Sequence, residues 1–270
     1  MTNAFSLASW NVEHFKGKKK RTNRIIKFMN DQEPDIFALY EVEAKESFNT
    51  LIRQMSDYQF HITEGSQTQE ILVGVKNDFT AFFTQRLEFK SGNQYLRPGA
   101  FLTISIDNVF YSILFMHTKS SSFPIGLGIR DDQFQHAFRL KKKLDKRGGG
   151  EGKANFMFLG DLNTMGMEYP FHKDIKPKIE LDKLKREADK VKMRPLTKNK
   201  PYTWWNGPGS RYKPGDFDHV VASKQLKFKK FSGADVDVRG WPAIETENEQ
   251  AEWIEKYSDH GMLFLIVENV

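Results

Sequence analysis

Apolar residues recur along the chain in two rhythms. Short runs, unbroken or alternating with polar residues, fall at 5–10, 36–40, 71–76, 100–106, 109–117, 155–159, 220–222 and 262–267, and each predicts a strand. Longer stretches at 22–30, 45–55, 131–146 and 179–192 predict helices; in the first, Ile25, Ile26 and Met29 share one face. The two kinds are mixed over the whole length, so the pattern predicts an α/β protein whose strands pack against outer helices. Gly148, Gly149, Gly150 and Gly152 mark a loop between two elements, and neither an internal repeat nor an interdomain linker is visible.

Polar residues that a core would exclude stand where these strands stop. Asn11 follows the run at 5–10, Glu41 the run at 36–40, His117 closes the run at 109–117, and Asp161 and Asn163 follow the run at 155–159. Strand ends with short loops are where a rigid scaffold presents chemistry. Taken singly, each residue has a plainer reading, because an Asn after a strand is commonly a turn former and an acid there commonly caps a helix. Their order along the chain carries the weight.

Composition narrows the chemistry. The 270 residues suffice for one domain spanning 1–270, and 39% hydrophobic with 28% charged residues is the balance of a soluble globular protein. The chain has no cysteine, which excludes disulfides, thiolate metal sites and a Cys nucleophile and leaves oxygen and nitrogen ligands. The first eight residues lack the basic start and apolar run of a signal peptide, and no stretch is long enough to cross a bilayer, so a cytoplasmic location without membrane contact is expected. The net charge is +6. Residues 173–200 alone hold eleven Lys and Arg against five Asp and Glu, the same +6, and read as a basic helical insertion.

In order, the chain presents Trp10-Asn11, Tyr40-Glu41, His117-Thr118-Lys119-Ser120, Gly160-Asp161-Leu162-Asn163, Asp216-Phe217-Asp218-His219-Val220 and Ser258-Asp259-His260-Gly261. This series resembles the endonuclease/exonuclease/phosphatase superfamily, the group that includes DNase I and the AP endonucleases. Members carry a strand-end Asn, a strand-end Glu, a histidine, G-D-x-N, a later Asp and a terminal S-D-H. Thr203-Trp204-Trp205 is similar to the aromatic stretch that precedes this Asp in exonuclease III-like members, and Arg130 with Gln133 is similar to their R-x-x-Q. Two departures stand out. No Tyr precedes the strand at 71–76, where the local run is Gly65 to Ile71, and Tyr40 replaces the more frequent Gln before Glu41.

The resemblance implies a four-layer sandwich of two packed mixed β-sheets flanked by helices. It also implies a catalytic set of His117, Asp161, Asn163, Asp218 and His260, and a metal set of Asn11, Glu41, Asp161, Asn163 and Asp259. Carboxylates so gathered cannot all ionise without a positive partner. With hard oxygen ligands the natural partner is Mg²⁺, with Mn²⁺ as substitute. His260 would pair with Asp218, Asp161 would orient water, and His117 would be a second acid with a carboxylate near Glu70 as partner. His14, His61, His136, His172 and His219 match no station and read as structural or surface residues.

The expected activity is therefore a metal-dependent phosphodiesterase, most simply a nuclease acting on DNA, with RNA as an alternative substrate. Arg130, Lys183, Lys185, Lys190, Lys192, Arg211 and Tyr212 would hold the nucleic acid, extended by Lys213 and the run from Lys18 to Arg21. The alternatives are a phosphatase or lipid phosphodiesterase of the same superfamily and a catalytically inactive binding module. The intact Glu41, Asp161, Asn163, Asp218, Asp259 and His260 argue against the last.

Overall fold

The computed structural model describes residues 3–16, 18–43, 45–65 and 69–269. Of the stretch that lacks the family tyrosine, residues 66–68 lie outside the described residues. Along the chain run β1 (Asn3–Phe15), α1 (Lys19–Gln32), β2 (Ile36–Val42), α2 (Lys45–Gln54), β3 (Tyr58–Ile62), β4 (Glu70–Lys76), β5 (Thr80–Arg86), β6 (Gly99–Ile106) and β7 (Val109–His117). There follow α3 (Pro124–Arg147), β8 (Asn155–Asp161), α4 (Pro177–Asp189), β9 (Met193–Pro195), β10 (Asp218–Ser223), β11 (Asp237–Arg239), α5 (Glu247–Lys256) and β12 (Met262–Glu268).

The strands form two six-stranded mixed sheets, ordered β11-β12-β1-β2-β4-β3 and β5-β6-β7-β8-β10-β9. One apolar cluster joins their inner faces, including Leu7, Ala38 and Val73 from the first sheet and Leu102, Phe115 and Leu159 from the second. A second cluster binds α1 and α2 to the outer face of the first sheet, where Thr22, Ile25, Ile26 and Met29 bury one helical stripe at spacings of three and four. A third does the same for α3 and α4 on the second sheet through Phe134, Phe138, Leu184 and Ala188. The result is the four-layer α/β sandwich, helices outside and sheets within.

Topology decides where the chemistry falls. In each sheet the central pair is parallel, β1 with β2 and β7 with β8, and the other neighbours are antiparallel. The four central strands end at one end of the sandwich, and their antiparallel neighbours β10 and β12 begin there. Asn11, Glu41, His117 and Asp161 thus meet the start of β10 at Asp218 and the approach to β12 at His260.

Several elements depart from the sequence pattern. Strands β3, β5, β9 and β11 and helix α5 were not predicted, and α3 starts earlier than expected, with Pro124 in its first turn. Residues 173–200 are not one helix. Helix α4 stops at Asp189, Lys192 adopts a left-handed φ of 56°, and Met193–Pro195 joins β10 as an edge strand. The segment is part of the second sheet's scaffold rather than an appendage to it.

Candidate active site

The backbone is bent on purpose where the first carboxylate emerges. Between β1 and β2 the register shifts after Asn11, and Glu13, His14 and Glu41 all take positive φ values of 45°, 48° and 62°. Such a bulge re-aims side chains at a cost of a kcal/mol or so per strained residue, about 1–3. The strain is held by local bonds. His14 N donates to Glu41 Oε2 at 3.0 Å, and Glu13 N donates to Asn11 Oδ1 at 3.0 Å. At the other parallel pair, Gly160 has φ 139°, and a β-carbon there would strike the Met116 carbonyl and lie 2.6 Å from Tyr40 Oη. Only glycine lets β8 pass close enough to deliver Asp161.

Asn11 ties the sheets together. Its Nδ2 donates to Glu41 Oε1 at 3.1 Å and to Asp161 Oδ2 at 3.0 Å. His117 Nε2 lies 3.5 Å from the same Asp161 oxygen and 3.8 Å from Glu41 Oε1. Asn163 turns at φ 47°, donates its N–H to Asp161 Oδ1 at 3.1 Å and its Nδ2 to the Thr118 carbonyl at 3.3 Å. Burial raises the Asp161 carboxyl to about 7; His260 opposes that rise while Asp218 adds to it. A carboxyl poised near neutral pH suits a general base.

His260 Nδ1 meets Asp218 Oδ2 at 2.8 Å, and its Nε2 is 3.8 Å from Asp161 and 3.9 Å from Asp259. Burial disfavours the charged ring, but Asp218, Asp161 and Asp259 outweigh it and hold the imidazole well above its ordinary value, protonated. His117 goes the other way. Burial, then the Arg97 and His260 charges, push it well below, so a neutral ring donates a hydrogen bond more readily than it transfers a proton.

The Ser258-Asp259-His260 run is fixed by its surroundings. Ser258 Oγ donates to the Asn11 carbonyl at 2.7 Å, Trp10 Nε1 to the His260 carbonyl at 2.9 Å, and Trp204 Nε1 to Asp259 Oδ2 at 2.7 Å. Thr203 Oγ1 accepts from Asp218 N at 3.0 Å, which is how the Thr203-Trp204-Trp205 stretch serves the site. Trp204 stacks on Phe217 at 5.0 Å, and Tyr212, half-exposed under the Arg211 guanidinium at 4.7 Å, extends that aromatic wall. Glu41, His117, Asp161, Trp204, Tyr212 and His260 are among the residues that line a cleft of about 610 Å³; Arg211 is not.

Some expected residues stand elsewhere. Arg130 is 0% exposed, with its guanidinium on both Glu180 oxygens and the carbonyls of Lys119, Ser121 and Gly166, so it is a strut and cannot meet nucleic acid. Gln133 braces the same loop through Lys119 N. Lys183, Lys185, Lys190 and Lys192 do not line the cleft; Lys183 pairs with Asp131 at 2.6 Å, Lys190 with Glu187 at 2.7 Å and Lys192 with Glu151 at 3.7 Å. Glu70 is not a partner of His117, because its oxygens accept from Thr63 Oγ1 at 2.5 Å and Gly65 N at 2.8 Å.

Other residues carry weight that the sequence did not single out. His14, read as structural, lines the cleft and pairs with Glu43 at 2.7 Å. Gln69 and Arg97 form a chain toward Glu41, with Arg97 donating to Gln69 and Gln69 to Glu41 Oε2 at 3.5 Å. Behind Asp218, buried Lys198 pairs with Asp216 and donates to the Asp218 carbonyl at 2.6 Å, while buried His219, pushed down to about 4 by burial and then Lys198, sits 2.8 Å from Thr164 Oγ1. No apolar periodicity marks these residues, and only their adjacency to the matched stations could have found them.

The donor set fits a hard divalent cation. Asp259 Oδ1 is buried without a hydrogen-bond partner among the described residues, and Glu41 and Asp161 converge on one amide. Oxygens of Asp161 and Asp218 and a ring nitrogen of His260 also lie within 4.8 Å of one another. That triangle is the poorer fit, since a metal needs a deprotonated imidazole and His260 is held charged. No helix among the described residues is long and apolar enough to cross a membrane.

Comparison with known proteins bears on the family and the fold. The model of the Endonuclease/Exonuclease/phosphatase family matches residues 8–260. No curated protein matches by sequence search. Among solved structures, truncated Caenorhabditis elegans TDP2 is similar at a TM-score of 0.68 and 18% identity, covering 98% of this chain and 97% of that one. D. rerio TDP2 complexed with single strand DNA product gives 0.67 and 13%, covering 98% and 99%, and a Bacteroides thetaiotaomicron mannosyl-6-phosphatase gives 0.62 and 13%, covering 98% and 100%. At these identities the structures share the fold alone.

Proposed function

The chain belongs to the Endonuclease/Exonuclease/phosphatase family, and from that premise we propose that it is a Mg²⁺- or Mn²⁺-dependent nuclease that hydrolyses phosphodiester bonds of DNA. The observation that carries the reading is the buried constellation around Asp161, a carboxylate near neutral pKa between Asn11 and a protonated His260–Asp218 pair. Glu41 and Asp161 would hold the cation, with Asn11, Asn163 and Asp259 completing its surroundings; Asn11, expected as a ligand, turns its amide nitrogen to these acids and its oxygen to Glu13 N. Bound there, a divalent ion supplies charge neutralisation for a phosphoryl group under attack.

This chain's own groups do the rest. Asp161 takes the proton of the attacking water as its oxygen bonds to phosphorus, the P–O bond to the leaving sugar oxygen breaks and that oxygen takes a proton from solvent; Asn163, whose N–H holds Asp161 Oδ1, keeps the carboxylate aimed. Protonated His260, oriented by Asp218, donates to a non-bridging phosphoryl oxygen where negative charge grows. Neutral His117 supplies a second hydrogen bond. Trp204, Phe217 and Tyr212 offer a wall on which a base or sugar can rest, and a DNA product in a similarly folded TDP2 is in keeping with that use.

The test is a panel of plasmid DNA, single-stranded DNA, RNA, abasic duplex, a phosphoinositide and a sugar phosphate, each with Mg²⁺ or Mn²⁺. DNA cleavage that needs the ion and disappears in Glu41→Ala is expected. Turnover of the phosphoinositide or sugar phosphate alone would replace the nuclease reading with a phosphatase one.

A further inference from the structure

The end of the sandwich opposite the cleft carries a different kind of surface. Residues 139–153 hold seven Lys and Arg against two acids. Within α3, Arg139, Lys142, Lys143, Lys146 and Arg147 recur at spacings of three and four and are all exposed, while Phe134, Ala137, Phe138, Lys141 and Asp145 bury the opposite stripe. The cations therefore form one track, roughly 12 Å long at about 1.5 Å per residue. It ends on a concavity of about 520 Å³ where Lys142 and Lys146 face Lys190 across the Gly150 turn.

What separates this track from an ordinary solvated face is its lack of acids. Several exposed lysines on or beside other helices come matched, Lys27 with Asp31, Lys178 with Asp182, Lys190 with Glu187 and Lys256 with Glu252; Lys19, Lys20 and Lys185 have no acid among the described residues, but they stand in smaller groups. Among the exposed cations of this track only Arg139 has an acid, Asp132, and Lys142, Lys143, Lys146 and Arg147 have none among the described residues. Lys142 with Lys146 and Lys143 with Arg147 are like charges four apart, an arrangement that costs helix stability. The helix dipole rewards cations in the last turn but not a track of two turns and more. The nearby acids Asp189 and Glu151 are already taken by Lys224 and Lys192.

We propose that this track is a second nucleic-acid contact, separate from the cleft, that holds the phosphate backbone of a duplex. A membrane surface fits less well, because a membrane-bound helix pairs its cations with exposed apolar side chains and this stretch of α3 exposes none; its exposed Ile125 lies at the other end. The choice of nucleic acid among polyanions rests on the nuclease reading of the cleft. With β8 running from one end to the other, the end of the track beside Ala154 lies about 20 Å from Asp161 along the strand, at about 3.3 Å per residue over its length. It therefore tethers long substrates rather than aligning the bond to be cut.

The experiment measures binding of a long fluorescent duplex in chelator, across salt concentrations, by wild type and by the combined variant Lys142→Gln, Lys143→Gln, Lys146→Gln, Arg147→Gln. The variant should bind about tenfold or more weakly at low salt, with the slope of log K against log salt reduced by up to about 3.6, or about 0.9 per contact. A control carrying Lys27→Gln, Lys178→Gln, Lys229→Gln and Lys256→Gln removes the same four charges elsewhere and separates local from net charge. Cleavage of a small chromogenic phosphodiester with Mn²⁺ should be unchanged in both. Equal affinity and slope in wild type and variant would overturn the proposal, as would an equal loss in the control or binding to phosphatidylserine vesicles in place of DNA. Duplex binding through the track without any cleavage would instead refute the reading of the cleft and leave the track standing.

Discussion

At the scale of single residues, the site is built from groups that are uncomfortable where they stand. Asp161 is 2% exposed and raised to about 7, first by burial. For a carboxyl whose folded value exceeds its unfolded one, near 3.9, the folded state binds the proton more tightly. Its contribution to stability is therefore full below pH 4 and is lost as pH rises through 7. Asp161→Asn, which never ionises but turns its NH₂ toward one of the two N–H groups that Asp161 accepts from, should thus lose less melting temperature than wild type between pH 5 and pH 8 in chelator, at about 2–4 °C per kcal/mol, and lower turnover on the order of 10² to 10⁴-fold. Differential scanning calorimetry at pH 5 and pH 8 checks it: a variant whose melting temperature changes between the two as much as wild type's would mean that Asp161 is not the group responsible. His260 has the same sign by a different route, because its raised value stabilises the fold below about pH 6.5 and loses that effect only well above it.

At the scale of elements, strain and close approach place these residues, and that is where the sequence was hardest to read. Gly160→Ala should cost roughly 2 kcal/mol or more, since β8 must back away from the Met116 carbonyl and Tyr40 Oη, or leave a φ of 139° that alanine avoids. A denaturant midpoint equal to wild type would show that β8 has room. The central strands β2, β4, β7 and β8 were legible because they are buried along almost their whole length and read as continuous apolar runs. Edge strands were not. β5 exposes every second or third residue, and β9 and β11 are three residues long, pinned by their neighbours rather than by their own pattern. Helix α5 buries no residue fully, so its stripe was faint. The bulge at Glu13 and His14 left no mark in hydropathy at all. Order along the chain led to the right end of each strand; it could not tell that Arg130 points inward, because a buried salt bridge to Glu180, fifty positions away, has no local signature.

At the scale of the whole molecule, the cleft is a seam. Asn11, Glu41 and His260 come from the first sheet, and His117, Asp161 and Asp218 from the second. Apart from the apolar interface, the sheets are joined there by the Asn11–Asp161 and His260–Asp218 bonds. A cation held by Glu41 and Asp161 would therefore staple one sheet to the other and add its binding free energy to folding. At an ion concentration of about 100 times Kd that is about 2.7 kcal/mol, or roughly 5–10 °C for a chain of this size. Melting curves with Mn²⁺ and with chelator should differ by about that much, and more at pH 8 than at pH 6, because the ion competes with a proton for Asp161. Glu41→Ala should abolish the shift while Asp218→Asn retains most of it. The reverse pattern would place the ion in the Asp161–Asp218–His260 triangle, with His260 stripped of its proton, and His260 could then no longer act as the donor to the phosphoryl oxygen.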